Sequence, residues 1–162
     1  MSSLLCLQFS TEVTSLPSEK EFESWIMPVL SHEKAQGEIT LRFVDEAESQ
    51  HLNFEFRKKN KPTNVLSFPC QLPKELPFSI LGDLVFCAPL VIKEAQEQGK
   101  SLTAHWAHLS IHGVLHLLGY DHVDPLEAES METLEIEFMK QLGFPNPYEV
   151  INAGAPPHHE ER

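Results

Sequence analysis

The apolar residues of this chain switch between alternating and helical spacing, and the switches divide it into elements. Leu4 to Phe9 reads as a short strand, broken by Leu16-Pro17-Ser18. Pro17 or Ser18 can open a helix that runs to about His32. Phe22, Trp25, Ile26, Val29 and Leu30 recur along it at helical spacing, which marks a core-facing stripe. Gly37 ends that unit. From Glu38 to Val44 apolar Ile39, Leu41 and Phe43 alternate with Thr40 and Arg42, the pattern of a half-buried strand. Asp45 can cap a second helix over residues 47–56, with Leu52 and Phe56 as its expected buried side. The loop Arg57 to Thr63 leads into a short strand over residues 64–68, stopped by Pro69.

Residues 70–78 carry two prolines and read as a surface excursion. Leu81 to Ala88 is apolar almost throughout, as in a strand covered on both faces. Pro89 then opens a helix to about Gln98, ended by Gly99, and Ser101 can cap the next. Asp124 and Pro125 mark a fresh helix start. Met131, Leu134, Phe138, Met139 and Leu142 form its inward stripe, the methionines as core filler, and Gly143 ends it. Residues 1–150 are expected to form a single domain, since 162 residues suffice for one real core. Residues 151–162, with prolines, charges and the pair His158-His159, read as a disordered tail.

Composition narrows the setting. No apolar run is long enough to span a membrane, and Met1 to Phe9 lacks the basic start and long apolar run of a signal peptide. Cys6, Cys70 and Cys87 are scattered and odd in number, which argues against a disulfide framework and for a reducing cytoplasm. A net charge of −12 argues against nucleic acid as a partner, taken as an average. The average hides an uneven spread. Arg57, Lys58, Lys59 and Lys61 put four of the twelve basic residues into five positions, while acids crowd between Asp124 and Glu137. A solvated turn is the plain reading of the basic cluster.

The chemistry concentrates in the run His112-Gly113-Val114-Leu115-His116-Leu117-Leu118-Gly119-Tyr120-Asp121-His122. Residues four apart share a helix face, so His112 and His116 can point at one spot. Gly119 can end the helix in a left-handed conformation and let His122 return to the same spot. Three imidazoles with an open fourth position make a catalytic zinc arrangement. The spacing is similar to the long zinc motif of metzincin proteases, but Gly113 stands where such a protease carries its general-base glutamate. His105 and His108 lie near the same sector and are expected to support the site or hydrogen-bond at the core edge. Asp121 can handle protons, act behind a ligand, or simply cap the turn before His122.

This run resembles the signature of the YbeY family, bacterial endoribonucleases of 16S ribosomal RNA maturation. Two further stretches agree: Leu52-Asn53 with Arg57 to Pro69, similar to the family's basic loop and strand, and Leu81 to Val85, similar to its central strand. The likeness covers roughly residues 38–148. Asn60 and Asn64 depart from it, standing where many members have Asp, so neither position offers a catalytic carboxylate. The resemblance implies an α/β (α+β-like) single compact domain, with a small mixed sheet of about four strands and about five helices. It implies zinc held by His112, His116 and His122, and a functional Arg57. It also implies a single-stranded RNA target, in 16S rRNA 3′-end maturation and ribosome quality control, with the ribosome or small-subunit proteins as partners.

Phosphodiester cleavage needs charge neutralised on the non-bridging oxygens more than it needs a carboxylate base. The expectation is that His112, His116 and His122 hold the metal and Arg57 clamps the scissile phosphate, its planar fork matching phosphate. Lys59 and Lys61 would attract the RNA backbone. Two other readings stand beside this one. The chain could be a metal-dependent hydrolase of another substrate such as a peptide, against which Gly113 counts, or a non-catalytic assembly factor whose zinc only pins the helix end.

Overall fold

The structure, a computed structural model, describes residues 4–70, 79–121 and 123–149. The expected surface excursion beyond Cys70 and the expected tail over residues 151–162 lie outside the described residues. In chain order the elements are β1 (Leu5–Ser10), α1 (Glu19–His32), β2 (Glu38–Val44), α2 (Glu46–Arg57), β3 (Val65–Pro69), β4 (Ile80–Cys87), α3 (Ala88–Gln98), α4 (Leu102–Leu117) and α5 (Pro125–Gln141). The four strands form one mixed sheet in the order β1-β2-β4-β3, in which β1, β2 and β4 run parallel and β3 antiparallel to β4. Among the described residues the chain adopts the expected α/β class, with four strands and five helices.

Local chemistry explains the boundaries. Ser18 closes a capping box with Glu21 at the start of α1, and Ser101 accepts a hydrogen bond from the Ala104 amide at the start of α4. Asp124 does the same for α5 through the Leu126 amide, with Pro125 in the first turn. After α4, the amide of Tyr120 bonds back to the Leu115 carbonyl at 3.0 Å and Gly119 takes φ +105°. That left-handed exit is the one its glycine allows. Asp45 departs from expectation. Its carboxylate makes no cap to α2; it accepts hydrogen bonds from the Thr11 hydroxyl and the Glu12 amide, tying the loop after β1 to the end of β2.

The strand alternation sorts residues onto two faces. Ile39, Leu41 and Phe43 of β2 and Leu84 and Phe86 of β4 are fully buried against α1 and α4. Four aromatic rings meet there: Phe22, Phe43, Phe86 and Trp106, with Phe86 and Trp106 centroids 5.4 Å apart. On the other face Val44, Leu66 and Val85 form a smaller cluster with Leu52 and Phe68. Here the expected buried side of α2 is corrected. Phe56 is exposed and Leu52 only half-buried, while polar Ser49 and Asn53 are the buried positions. They face the loop after α2, whose backbone needs partners that apolar side chains could not supply.

Two glycines let β3 and α4 approach β4 closely. A Cβ at Gly82 would lie 2.3 Å from the Phe68 carbonyl oxygen and 2.9 Å from Leu117 Cδ2, on a backbone at φ +147°. A Cβ at Gly113 would meet Leu84 Cδ2 at 2.9 Å. Position 113 thus faces the sheet, which gives its glycine a packing reason besides the missing protease base. The two contacts differ in kind, since a leucine methyl can rotate away and a strand carbonyl cannot. Gly82→Ala is therefore expected to destabilise the fold by about 3 kcal/mol or more, and Gly113→Ala by clearly less. Urea unfolding midpoints of the two variants check this, and equal midpoints would contradict it.

Candidate metal centre and basic loop

Helix α4 is buried along nearly its whole length, and its histidines are buried with it. His105, His108 and His112 have almost no exposed surface, and His116 near the exit is half-buried. Buried imidazoles need hydrogen-bond partners. His105 Nε2 pairs with Glu94 Oε1 of α3 at 2.9 Å. His108 Nε2 pairs with Glu135 Oε1 at 2.5 Å, and His112 Nδ1 with Glu135 Oε2 at 3.0 Å. His105 and His108 thus hydrogen-bond in the core, as their sequence positions led one to expect.

Glu135 is the residue that sequence reasoning missed. It is fully buried on α5 and also accepts the Tyr148 hydroxyl. A signal was present: it stands four residues after Met131 and three before Phe138, inside the apolar stripe. Burial alone would raise its pKa, but hydrogen bonds and charge from His108 and His112 outweigh burial and hold it well below the ordinary carboxylate range. Burial pushes His108 down, against the raising influence of Glu135. Glu135 is thus held as a carboxylate facing two ring nitrogens. An ionised carboxylate only accepts, so His108 Nε2 and His112 Nδ1 are the atoms that carry hydrogen.

His112 and His116 come together as their spacing predicted, with ring centroids 4.6 Å apart at 81°. His122 lies outside the described residues. Asp121 Oδ1 accepts the Val123 amide at 3.1 Å, the turn-capping role among those weighed for it. His108, His112 and Glu135 also each offer a ligand atom within 4.8 Å of one another, so this buried group could hold a metal ion. The donor chemistry of the helix face fits a metal as well. A carboxylate on Nδ1 fixes a histidine in the tautomer that offers Nε2 to a metal.

The basic loop is built by α2. Lys58 ends the helix in a left-handed conformation at φ +61°. Asn53 Nδ2 donates to the Lys61 carbonyl at 2.8 Å, Gln50 Nε2 to Asn60 Oδ1 at 2.9 Å, and Ser49 Oγ bonds both the amide and the carbonyl of Thr63. Arg57, the last residue of α2, is exposed, and Lys59 and Lys61 are exposed on this held loop. Asn64 Nδ2 donates to Glu94 Oε1 at 3.0 Å, the oxygen that also takes His105. An aspartate at position 64 would set two carboxylates against each other. The loop then enters β3, where Ser67 Oγ donates to the Gly113 carbonyl of α4 at 3.1 Å. Arg57 and the histidine face are joined through these elements rather than by a direct contact.

The family model described as Endoribonuclease YbeY matches residues 7–143. The chain belongs to the YbeY endoribonuclease family. A solved solution structure, TM1509 from Thermotoga maritima, is 23% identical, with 93% of this chain and 99% of that one covered at a TM-score of 0.55. At that identity the likeness concerns the fold. YbeY membership covers all three stretches in which the sequence resembled the family, and no helix among the described residues is long and apolar enough to cross a membrane.

The loop clamp has a measurable consequence. Asn53→Ala removes the bond to the Lys61 carbonyl and should raise local opening about tenfold. Trypsin should then cut after Arg57, Lys58 or Lys59 about tenfold faster than in the wild type. Equal cleavage rates would mean that the clamp does not order the loop.

Proposed function

We propose that this YbeY-family chain is a metal-dependent endoribonuclease of single-stranded RNA, acting in 16S rRNA 3′-end maturation and ribosome quality control in the cytoplasm. The observation that carries this reading is the paired His112 and His116 rings on one buried helix, with the Nδ1 of His112 held by a buried carboxylate. His112, His116 and His122 would hold the ion, zinc by the nature of the donors. When bound, zinc supplies Lewis acidity toward a phosphoryl oxygen and toward water.

The other work falls to the chain. Arg57 closes its planar guanidinium on the scissile phosphate and offsets the charge that builds as the bond breaks. Lys59 and Lys61, exposed on a loop already ordered by α2, attract the RNA backbone. Ordering the loop before RNA arrives reduces the entropy lost on binding. A chain with a net charge of −12 gains little long-range attraction to RNA, which supports delivery by the ribosome or its small-subunit proteins.

A second reading places the ion among His108, His112 and Glu135, favoured by their 4.8 Å clustering. Against it, both oxygens of Glu135 are already engaged by donors that would have to be displaced.

Cleavage of single-stranded ribosomal RNA should be lost in His116→Ala together with bound zinc. Arg57→Ala should keep the metal and slow cleavage on the order of 100-fold. Equal cleavage by the wild type and both variants, identically prepared, would mean a contaminating nuclease and bring the assembly-factor reading forward. Peptide cleavage without RNA cleavage would favour another hydrolase. In RNA binding, Lys59→Ala and Lys61→Ala should each flatten the dependence of log affinity on log salt by about 0.7. An unchanged slope would remove them from the RNA path.

A further inference from the structure

We propose that Glu135 is a positioning residue for the metal centre: it fixes the ring of His112 so that Nε2 meets the ion, and Tyr148 in turn fixes Glu135. This rests on the assignment of the metal to His112, His116 and His122. Glu135 is fully buried on α5, a different element from the histidines, so its position does not follow from the geometry of α4. Its Oε2 accepts from His112 Nδ1 at 3.0 Å, and its Oε1 accepts from His108 Nε2 at 2.5 Å and from the Tyr148 hydroxyl.

The three donors leave the carboxylate one orientation. His108 holds it from α4, one turn before His112. Tyr148 holds it from the segment after α5, and its ring also stands edge-on to His108 at 5.3 Å. That segment is anchored in turn, since Lys100 Nζ donates to the Pro147 carbonyl at 2.8 Å and Asn146 Oδ1 takes the Tyr148 amide at 2.8 Å. A hydrogen on Nδ1 of His112 leaves the lone pair on Nε2, the state a ligand must have. Such outer carboxylates raise the basicity of the ligating nitrogen and spare the ring its rotational search.

The test is zinc affinity by chelator competition, with cobalt(II) as a spectroscopic probe, in the full chain. Glu135→Gln should bind zinc roughly 10- to 100-fold more weakly, with the cobalt bands unchanged in position and intensity because the ligand set is the same. Tyr148→Phe should shift affinity in the same direction by roughly threefold. His108→Gln disturbs the same buried cluster but leaves the bond to His112, so its affinity loss should be smaller than that of Glu135→Gln even at equal unfolding midpoint. A merely structural role would instead make affinity follow stability across all three.

Wild-type affinity in both Glu135→Gln and Tyr148→Phe would overturn the proposal. A changed cobalt spectrum in Glu135→Gln would do so too, by making Glu135 a ligand. Should Glu135→Gln fail to fold, Tyr148→Phe decides. Zinc binding at full affinity by His116→Ala would overturn the metal assignment and this inference with it. Loss of zinc in His116→Ala beside normal affinity in Glu135→Gln would remove only the positioning role.

Discussion

A buried imidazole must find a hydrogen-bond partner, and this requirement shapes the protein around α4. The helix lies against the sheet and touches α1, α3 and α5, so its histidines have little access to water. Desolvating an unpaired polar group costs about 1–3 kcal/mol. Two acids from flanking helices meet that demand: Glu94 of α3 for His105, and Glu135 of α5 for His108 and His112. The packing of three helices is therefore set by polar contacts as well as by the aromatic cluster above the sheet.

The same contacts run outward. Glu94 serves His105 with the oxygen that also receives Asn64, at the end of the basic loop. Ser67 of β3 reaches the carbonyl of Gly113, one residue from a proposed ligand. The basic loop that follows Arg57 and the helix carrying the histidines are thus held in one hydrogen-bonded framework. For phosphodiester chemistry, where placement of opposite charges does much of the work, rigid linkage between two such groups matters more than direct contact.

Much of the fold was legible in the sequence because apolar periodicity and end signals agreed. Phe22, Trp25, Ile26, Val29 and Leu30 face the core as spaced, β2 spans Glu38–Val44 as the alternation indicated, and Ser101 and Gly119 bound α4. What escaped was polar burial. Ser49 and Asn53 take the inner side of α2 because a loop backbone lies there, and a hydrophobic pattern carries no trace of that. Glu135 looked like one acid among many until its neighbours in space were known. The pairing of His112 with His116 was readable from spacing alone, whereas the links that join them to the basic loop depend on side chains far apart in the chain.

The order in which the partners are synthesised has a consequence for folding. Glu94 precedes His105 by 11 residues, but Glu135 follows His112 by 23 and His108 by 27. A chain growing from its N-terminus makes the sheet, α3 and α4 before the acid that two of the helix's imidazoles require. Until α5 is made, those rings are better off in water, and sealing α4 against the sheet is opposed by their desolvation. Closure of the histidine face is thus tied to the arrival of Glu135 on α5, 23 residues after His112.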